Sequence, residues 1–288
     1  MVTLPLEFSL TSTNKPSAIY HYCSLDTFIK IVERQALWLT CLDKMNDYAE
    51  ATWLTHIIHN LSTKKLSNGT GNIDIFNALI NQITACVNER LAYLTCFSEY
   101  GDRLSQWRGY ADGGKGVAIG FKTWVLEQSM MKFFLAETLN TSGYSNGLAK
   151  VYYPDEKDLE NWLSPLLDQL VAGADYTVIG RQLAEHAPIF KNPAFKEEGE
   201  WRIAVTPQRS GFVRHWRLVD QNLSTSLKFR PTEKGISSYF ELPLEPEAIS
   251  DIVLGPLNKS ERDDIGAFLH ARLGRNIGVC HSSATYCG

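Results

Sequence analysis

Apolar residues alternate along Ala18-Ile-Tyr-His-Tyr-Cys23, which predicts a strand, and the period then changes. Leu25, Phe28, Ile29, Ile31, Val32 and Leu37 recur at helical spacing behind Ser24, a residue type that caps helix starts. They predict a helix over about 25–35 and a short strand over Ala36–Leu42. The polar turn Met45–Glu50 leads into a helix through about His59, the loop Ser67-Asn-Gly-Thr-Gly-Asn72 follows, and a further helix fills about 73–90. Leu91–Ser98 is almost wholly apolar and of strand length, the signature of a central strand covered on both faces. Glu99–Gly114 is polar yet carries Trp107 and Tyr110, and Lys115–Phe121 is the next strand, with Gly109–Gly116 read as a hairpin turn before it.

Helical patterns at about 123–136 and 156–187 flank a weak strand at Ala149–Tyr153, and the second breaks near Gly173. Glu200–Val205, Tyr239–Leu242, Ile249–Leu254 and Ile277–Cys280 are short strands, with a helix over about 259–273 between Ser260 and Gly274 as caps. Strands run from residue 18 to 280 with no break in composition. The expectation is therefore one α+β domain over 1–288, a central split sheet of mixed or antiparallel strands flanked by helices, with a helical insertion at about 123–190.

A hydrophobic fraction of 44% supports a substantial core, and 28 basic against 32 acidic residues leave a formal charge of −4. Attraction to polyanions by bulk charge is thus excluded, and only a local basic surface remains open to nucleic acid. No apolar run approaches the length of a membrane span and the N-terminal residues lack the order of a signal peptide, so the expectation is a cytoplasmic chain with no membrane partner. Six cysteines without a C-x-x-C pair or zinc spacing argue against a disulfide framework and predict no metal. Cys23, Cys41, Cys86 and Cys96 sit among apolar neighbours as buried thiols would.

Nucleotide-binding glycine loops, H-E-x-x-H and G-x-S-x-G are all missing. Several residues admit both a structural and a chemical reading. Tyr20-His21-Tyr22 is a packed aromatic cluster or a site; Glu200 is a solvated carboxylate paired with Arg202, or a carboxylate held in a partly dry cleft beside Trp201. Asn46, Asp47 and Glu50 form a cap or bind a ligand. Trp107 suits core packing, whereas the Tyr110 hydroxyl needs a polar partner.

Five short motifs then occur in order: Tyr20-His21-Tyr22-Cys23-Ser24, Asn46-Asp47-Tyr48-Ala49-Glu50, Cys96-Phe97-Ser98, Trp107-Arg108-Gly109-Tyr110-Ala111 and Glu197 through Arg202, with Ile252–Pro256 near the end. In this order the chain resembles the bacterial family called domain of unknown function 2971, except that Cys23 stands where a Ser or Thr is usual. The opening block and the late strand-borne Glu in turn resemble the ADP-ribosyltransferase superfamily, in which three motifs on different strands grip NAD. That resemblance implies Glu200 as the catalytic carboxylate, with Glu197 and Glu198 as rivals, and His21, Tyr22, Asn46, Ser98 and Tyr110 as contacts to NAD, which is a substrate here.

Cleaving the bond between nicotinamide and ribose creates an oxocarbenium-like centre that a carboxylate stabilises. The resemblance further implies a toxin or phage-defence effector, held in check by an antitoxin. Arg202, Arg209, Arg214 and Arg217, interleaved with Trp216, suit a single-stranded RNA or DNA acceptor, or else form a solvated basic loop. The alternatives are transfer to protein and a non-catalytic binding module on the same fold.

Overall fold

The computed structural model describes residues 15–42, 49–89, 92–136, 147–207, 209–210, 217–218, 226–232 and 235–286. The chain opens with β1 (Ala18–Cys23), α1 (Leu25–Arg34) and β2 (Ala36–Cys41). Ser24 caps α1 by accepting from the Thr27 amide at 3.2 Å, and Gln35 turns the chain out of the helix at φ 48°. Two long helices follow, α2 (Ala49–Ser67) and α3 (Ile73–Glu89), then β3 (Tyr93–Ser98), α4 (Leu104–Tyr110), β4 (Val117–Lys122) and α5 (Thr123–Ala136). Next come β5 (Gly147–Lys150), α6 (Glu156–Val171), α7 (Tyr176–His186) and β6 (Glu200–Val205). The last part holds β7 (Arg209–Ser210), β8 (Arg217–Leu218), β9 (Lys228–Thr232), β10 (Gly235–Pro243), β11 (Ile249–Leu254), α8 (Arg262–Leu273) and β12 (Gly278–His281).

Ten strands join one mixed sheet in the order β12-β11-β4-β1-β3-β2-β10-β9, with β6 on β3 and β5 on β6. Among the described strands of this sheet, β11 and β12 alone run parallel. The feature that shapes the site lies along β3. One edge of it pairs with β6 along its whole length, from Tyr93↔Val205 to Ser98↔Glu200. The other edge is shared: β1 meets it at Tyr20↔Ser98, and β2 meets it at Thr40↔Leu94 and Cys41↔Tyr93. Between these contacts, at Thr95–Phe97, the two halves of the sheet diverge, β1 leaving with β4 and β11 and β2 leaving with β10 and β9. The sheet is split at its centre.

Period-2 side chains on these strands sort onto two faces. Ile19, Leu37, Leu39, Phe97, Ile119, Trp201, Ile203, Phe240 and Leu242 bury one face in a core shared with α1, α5 and α8. A second core, with Leu54, Ile58, Phe76, Leu79, Ile83, Leu163, Leu167 and Leu183, joins α2 and α3 to α6 and α7. The segment 123–190, expected as one helical insertion, thus divides: α5 covers the sheet, β5 extends it, and α6–α7 complete a helical layer begun by α2–α3.

Several expectations need correcting. Residues 109–116 are not a hairpin turn, because β3 and β4 are not neighbours; they close α4 and form a 3-10 turn over Asp112–Gly114, with Gly113 and Gly114 at φ 59° and 92°. Gly116 follows where a Cβ would lie 2.1 Å from the Cys23 carbonyl oxygen. α2 runs on to Ser67. Ser260 does not cap α8, whose first turn follows Glu261 with no side-chain cap, although Gly274 does end it in the left-handed conformation. β9 was not anticipated, since Pro231 lies inside it; at the sheet edge the missing amide is tolerated. No described helix is long and apolar enough to cross a membrane.

Candidate functional site

The split in the sheet opens a cleft of about 270 Å³, near the lower end of the range for small-molecule pockets. Its floor is the face of β3 and β6 that carries Leu94, Cys96 and Arg202, and its walls come from β1, β2, α4 and the segment entering β6.

Four charged side chains meet at one end. Asn192 caps a 3-10 turn over Pro193–Glu198, and Gly199 at φ 52° reverses the chain so that Glu198 and Glu200 approach the same lysine from opposite sides of the turn. Lys191 Nζ donates to Glu198 Oε2 at 2.6 Å and to Glu200 Oε2 at 3.2 Å. Two residues along β6, on the same face, Arg202 donates from Nε to Glu200 Oε1 at 2.8 Å and from Nη2 to Glu200 Oε2 at 2.9 Å; its Nη1 reaches the Pro188 carbonyl at 2.6 Å. All four residues are buried. Burial alone would oppose ionisation of Glu200, but Arg202, Lys191 and a hydrogen bond from Cys96 outweigh it and bring its pKa down to about 2. Glu200 is therefore a fixed negative charge at neutral pH.

His21 projects from β1 into the gap, its Nδ1 2.8 Å from the Cys96 carbonyl oxygen. A carbonyl only accepts, so the proton resides on Nδ1, and Nε2 of the neutral ring is an acceptor. Burial lowers the pKa of His21 and so favours the neutral form, and it outweighs the opposing pull of the hydrogen bond to Cys96, which favours the charged one. On α4, the Tyr110 hydroxyl donates to Glu198 Oε1 at 3.1 Å while the residue as a whole is 44% exposed, enough to leave ring surface for a ligand. Burial, ahead of the neighbouring charges, raises its pKa, so the hydroxyl keeps its proton. Gln106, also on α4, lines the same wall.

Strands β2, β9 and β10 form the opposite end. Arg230 donates from Nη2 to Thr40 Oγ1 at 2.9 Å, and its guanidinium carbon lies 4.8 Å from the Trp38 ring centroid and 5.7 Å from that of Tyr239.

Among the residues singled out from sequence, His21, Tyr22, Tyr110, Glu200 and Arg202 line this cleft. Two of the expected contacts have their polar groups engaged inside the protein. Ser98 is fully buried, donating to the Glu198 carbonyl at 2.6 Å and accepting from the Tyr100 amide, so it positions the Glu198 turn and does not line the cleft. The Tyr22 hydroxyl donates to the Tyr100 carbonyl at 2.7 Å and accepts from the Arg103 amide, and its ring packs edge-on against Trp107. Arg202 is a floor residue locked to Glu200 rather than part of an exposed basic stretch. Glu197 is exposed on the turn, outside the cleft lining.

Asn46, Asp47 and Arg214 lie outside the described residues. Arg209 and Arg217 lie on the small pair β7–β8, in register Arg209↔Leu218 and Ser210↔Arg217. Cys96, expected as a buried thiol, is half-buried on the cleft floor. Sequence reasoning missed Lys191, Arg230, Trp38 and Gln106. The signal for Lys191 was there, a lone cation in the apolar run Ala187–Phe195; that for Arg230 was not, because β9 itself went unread.

The match to known families falls on part of this site. Residues 106–203 match the family described as Protein of unknown function (DUF2971), a span of about a third of the chain that runs from α4 to β6 and includes Tyr110, Lys191, Glu198, Glu200 and Arg202. The motifs at Tyr20–Ser24, Asn46–Glu50 and Cys96–Ser98 lie outside it. No curated protein and no solved structure matches the chain. What is similar to that family is the half of the cleft that carries the charged cluster.

Proposed function

We propose that the cleft binds NAD and that the protein is an ADP-ribosyltransferase. The observation that carries this reading is the ionised, buried Glu200 on β6 facing a split in the sheet that His21 borders from β1. In the proposed reaction the glycosidic bond from the ribose C1′ to nicotinamide breaks, and neutral nicotinamide departs with the bonding pair. The acceptor nucleophile bonds to C1′ and gives up its proton. A negative charge already fixed in a dry site stabilises the cationic C1′ centre without reorganising. The neutral His21 offers Nε2 to a ribose hydroxyl, and the half-exposed Tyr110 ring offers a surface for the nicotinamide. Asn46 remains a proposed contact to NAD.

The acceptor we propose is single-stranded nucleic acid, approached through Arg209, Arg214 and Arg217, in a growth-arresting defence role that an antitoxin would restrain. Incubation with adenylate-labelled NAD and cell lysate, followed by nuclease or protease digestion, tests both halves. Nuclease-sensitive label that Glu200→Gln reduces by roughly two orders of magnitude or more supports the reading. Protease-sensitive label would make it a protein-directed transferase.

A second reading, a binding module without turnover, is favoured by one observation: both Glu200 oxygens are held by Arg202 and Lys191, as in a structural ion-pair network. NAD binding without label in any fraction would favour that module.

A further inference from the structure

The end of the cleft away from Glu200 carries donors that the protein itself does not satisfy. Arg230 Nε and Trp38 Nε1 are both shielded from water, and neither has a hydrogen-bond partner among the described residues. Shielding a donor in this way costs about 1–3 kcal/mol, more when it is charged, so two such donors side by side in a cleft call for a partner from outside the chain, a bound ion or ligand group among them. The two donors belong to one construction. Trp38 and Thr40 sit two apart on β2 and so share a face, Thr40 pairs with Tyr239 on β10, and Arg230 on β9 reaches back across both to Thr40. The Trp38 and Tyr239 rings, their centroids 5.8 Å apart, sit side by side against the guanidinium and restrict where it can go.

We propose that Arg230, Trp38 and Thr40 form a phosphate subsite. Guanidinium and indole only donate, and a threonine hydroxyl can do so, which suits a ligand group with several acceptor oxygens and negative charge. The charge balance points the same way. At the other end two cations, Lys191 and Arg202, face two carboxylates, Glu198 and Glu200, whereas no ion pair engages Arg230 among the described residues. The positive potential of the cleft is therefore concentrated at Arg230. Thr40 aligns with Leu94 and Glu200 with Ser98, four residues apart on β3, so the subsite stands roughly 14 Å along the sheet from the Glu200 level. An elongated ligand with its phosphate at one end and a hydroxylated group at the other fits that spacing. For NAD the phosphate end is the pyrophosphate, and in that form the inference rests on the NAD reading of the cleft; the subsite itself does not.

Calorimetric titration with inorganic pyrophosphate, and separately with NAD, on the full chain and its variants tests the proposal. The expected result is pyrophosphate binding that weakens about tenfold or more in Arg230→Gln, recovers only in part in Arg230→Lys, and falls as salt is raised. Trp38→Phe, which keeps the ring and removes the donor, should weaken it several-fold. Should Arg230→Gln fail to fold, Trp38→Phe and Thr40→Val carry the same comparison. Absence of pyrophosphate binding, or equal affinity in the folded variants and the parent protein, overturns the subsite. Pyrophosphate binding that depends on Arg230, with no binding of NAD, leaves the subsite standing and removes the NAD reading instead.

Discussion

His21 Nδ1 hydrogen-bonds the Cys96 carbonyl at 2.8 Å, in the stretch of β3 where neither β1 nor β2 continues the ladder on that edge. The imidazole takes the place of the missing strand. The bond also holds the ring in one tautomer, so the same contact that satisfies the gap leaves the opposite nitrogen an acceptor.

His21→Leu should therefore destabilise the fold by roughly 1–3 kcal/mol, because the Cys96 carbonyl loses its donor in a buried place. His21→Asn, whose amide can reach the same carbonyl, should recover part of that loss, and if the cleft binds NAD as proposed its affinity should stay reduced, since the Nε2 acceptor is gone. Urea denaturation read beside NAD titration checks both. Equal stability for Leu and parent would mean that water serves the carbonyl.

Glu200 gives a pH dependence with a defined sign. Its pKa in the fold is about 2, below the ordinary 4.5, so its contribution to stability is complete above about pH 4.5 and is lost as pH falls toward 2. At neutral pH, Glu200→Gln should cost about 3–5 kcal/mol, the range for breaking a buried ion pair and leaving its cations under-compensated. The gap between parent and variant should narrow as pH drops through that window. Urea midpoints at pH 7, 4 and 3 measure it; a constant gap would show that Glu200 is not the group titrating.

Gly116 tests the junction behind α4. A Cβ there would lie 2.1 Å from the Cys23 carbonyl oxygen and 2.9 Å from that of Ala111, both backbone atoms that cannot rotate away. Gly116→Ala should lower stability by about 1–3 kcal/mol or more, whereas Gly109→Ala, with open space around its Cβ, should change it little. Thermal unfolding of the two variants side by side decides it.

How far the sequence disclosed this molecule varies with the range of the interaction. β1, α1, β2, α3 and β6 follow from local periodicity and caps, because Ser24 and the alternation at 18–23 act within a few residues. Glu200 and His21 could be singled out one at a time, yet the split that brings them to one cleft comes from long-range pairing on β3, which no local pattern encodes. The same limit explains Ser98 and Tyr22. Their residue types suited ligand contact, but the Glu198 turn and the Tyr100–Arg103 backbone, far off in sequence or on another element, take up their hydroxyls.

Lys191 is the cation shared by the two buried carboxylates, and its removal separates structural from electrostatic roles. Lys191→Met leaves Glu198 with the Tyr110 hydroxyl and Glu200 with Arg202, so stability should fall by roughly 3 kcal/mol, and the double variant Lys191→Met/Glu198→Gln should regain part of it by removing the uncompensated charge. Additive losses in chemical denaturation would contradict this coupling.

The acceptor hypothesis is tested away from the cleft. The chain carries a formal charge of −4, so any attraction to nucleic acid must come from a local basic surface rather than from the whole molecule. Arg209 and Arg217 stand on neighbouring strands of the β7–β8 pair, and Arg214 lies between them in sequence. Removing one arginine that neutralises a phosphate should weaken binding and reduce the slope of log affinity against log salt by about 0.7 on a single strand. Changing Arg209, Arg214 and Arg217 together to Ala should thus weaken binding to a single-stranded RNA of defined length by at least about tenfold and flatten its salt dependence, with NAD affinity and thermal midpoint unchanged. An unaltered salt slope in the triple variant would rule out this stretch as the nucleic-acid contact, and label from NAD found only in protein would point the proposed transfer toward a protein acceptor.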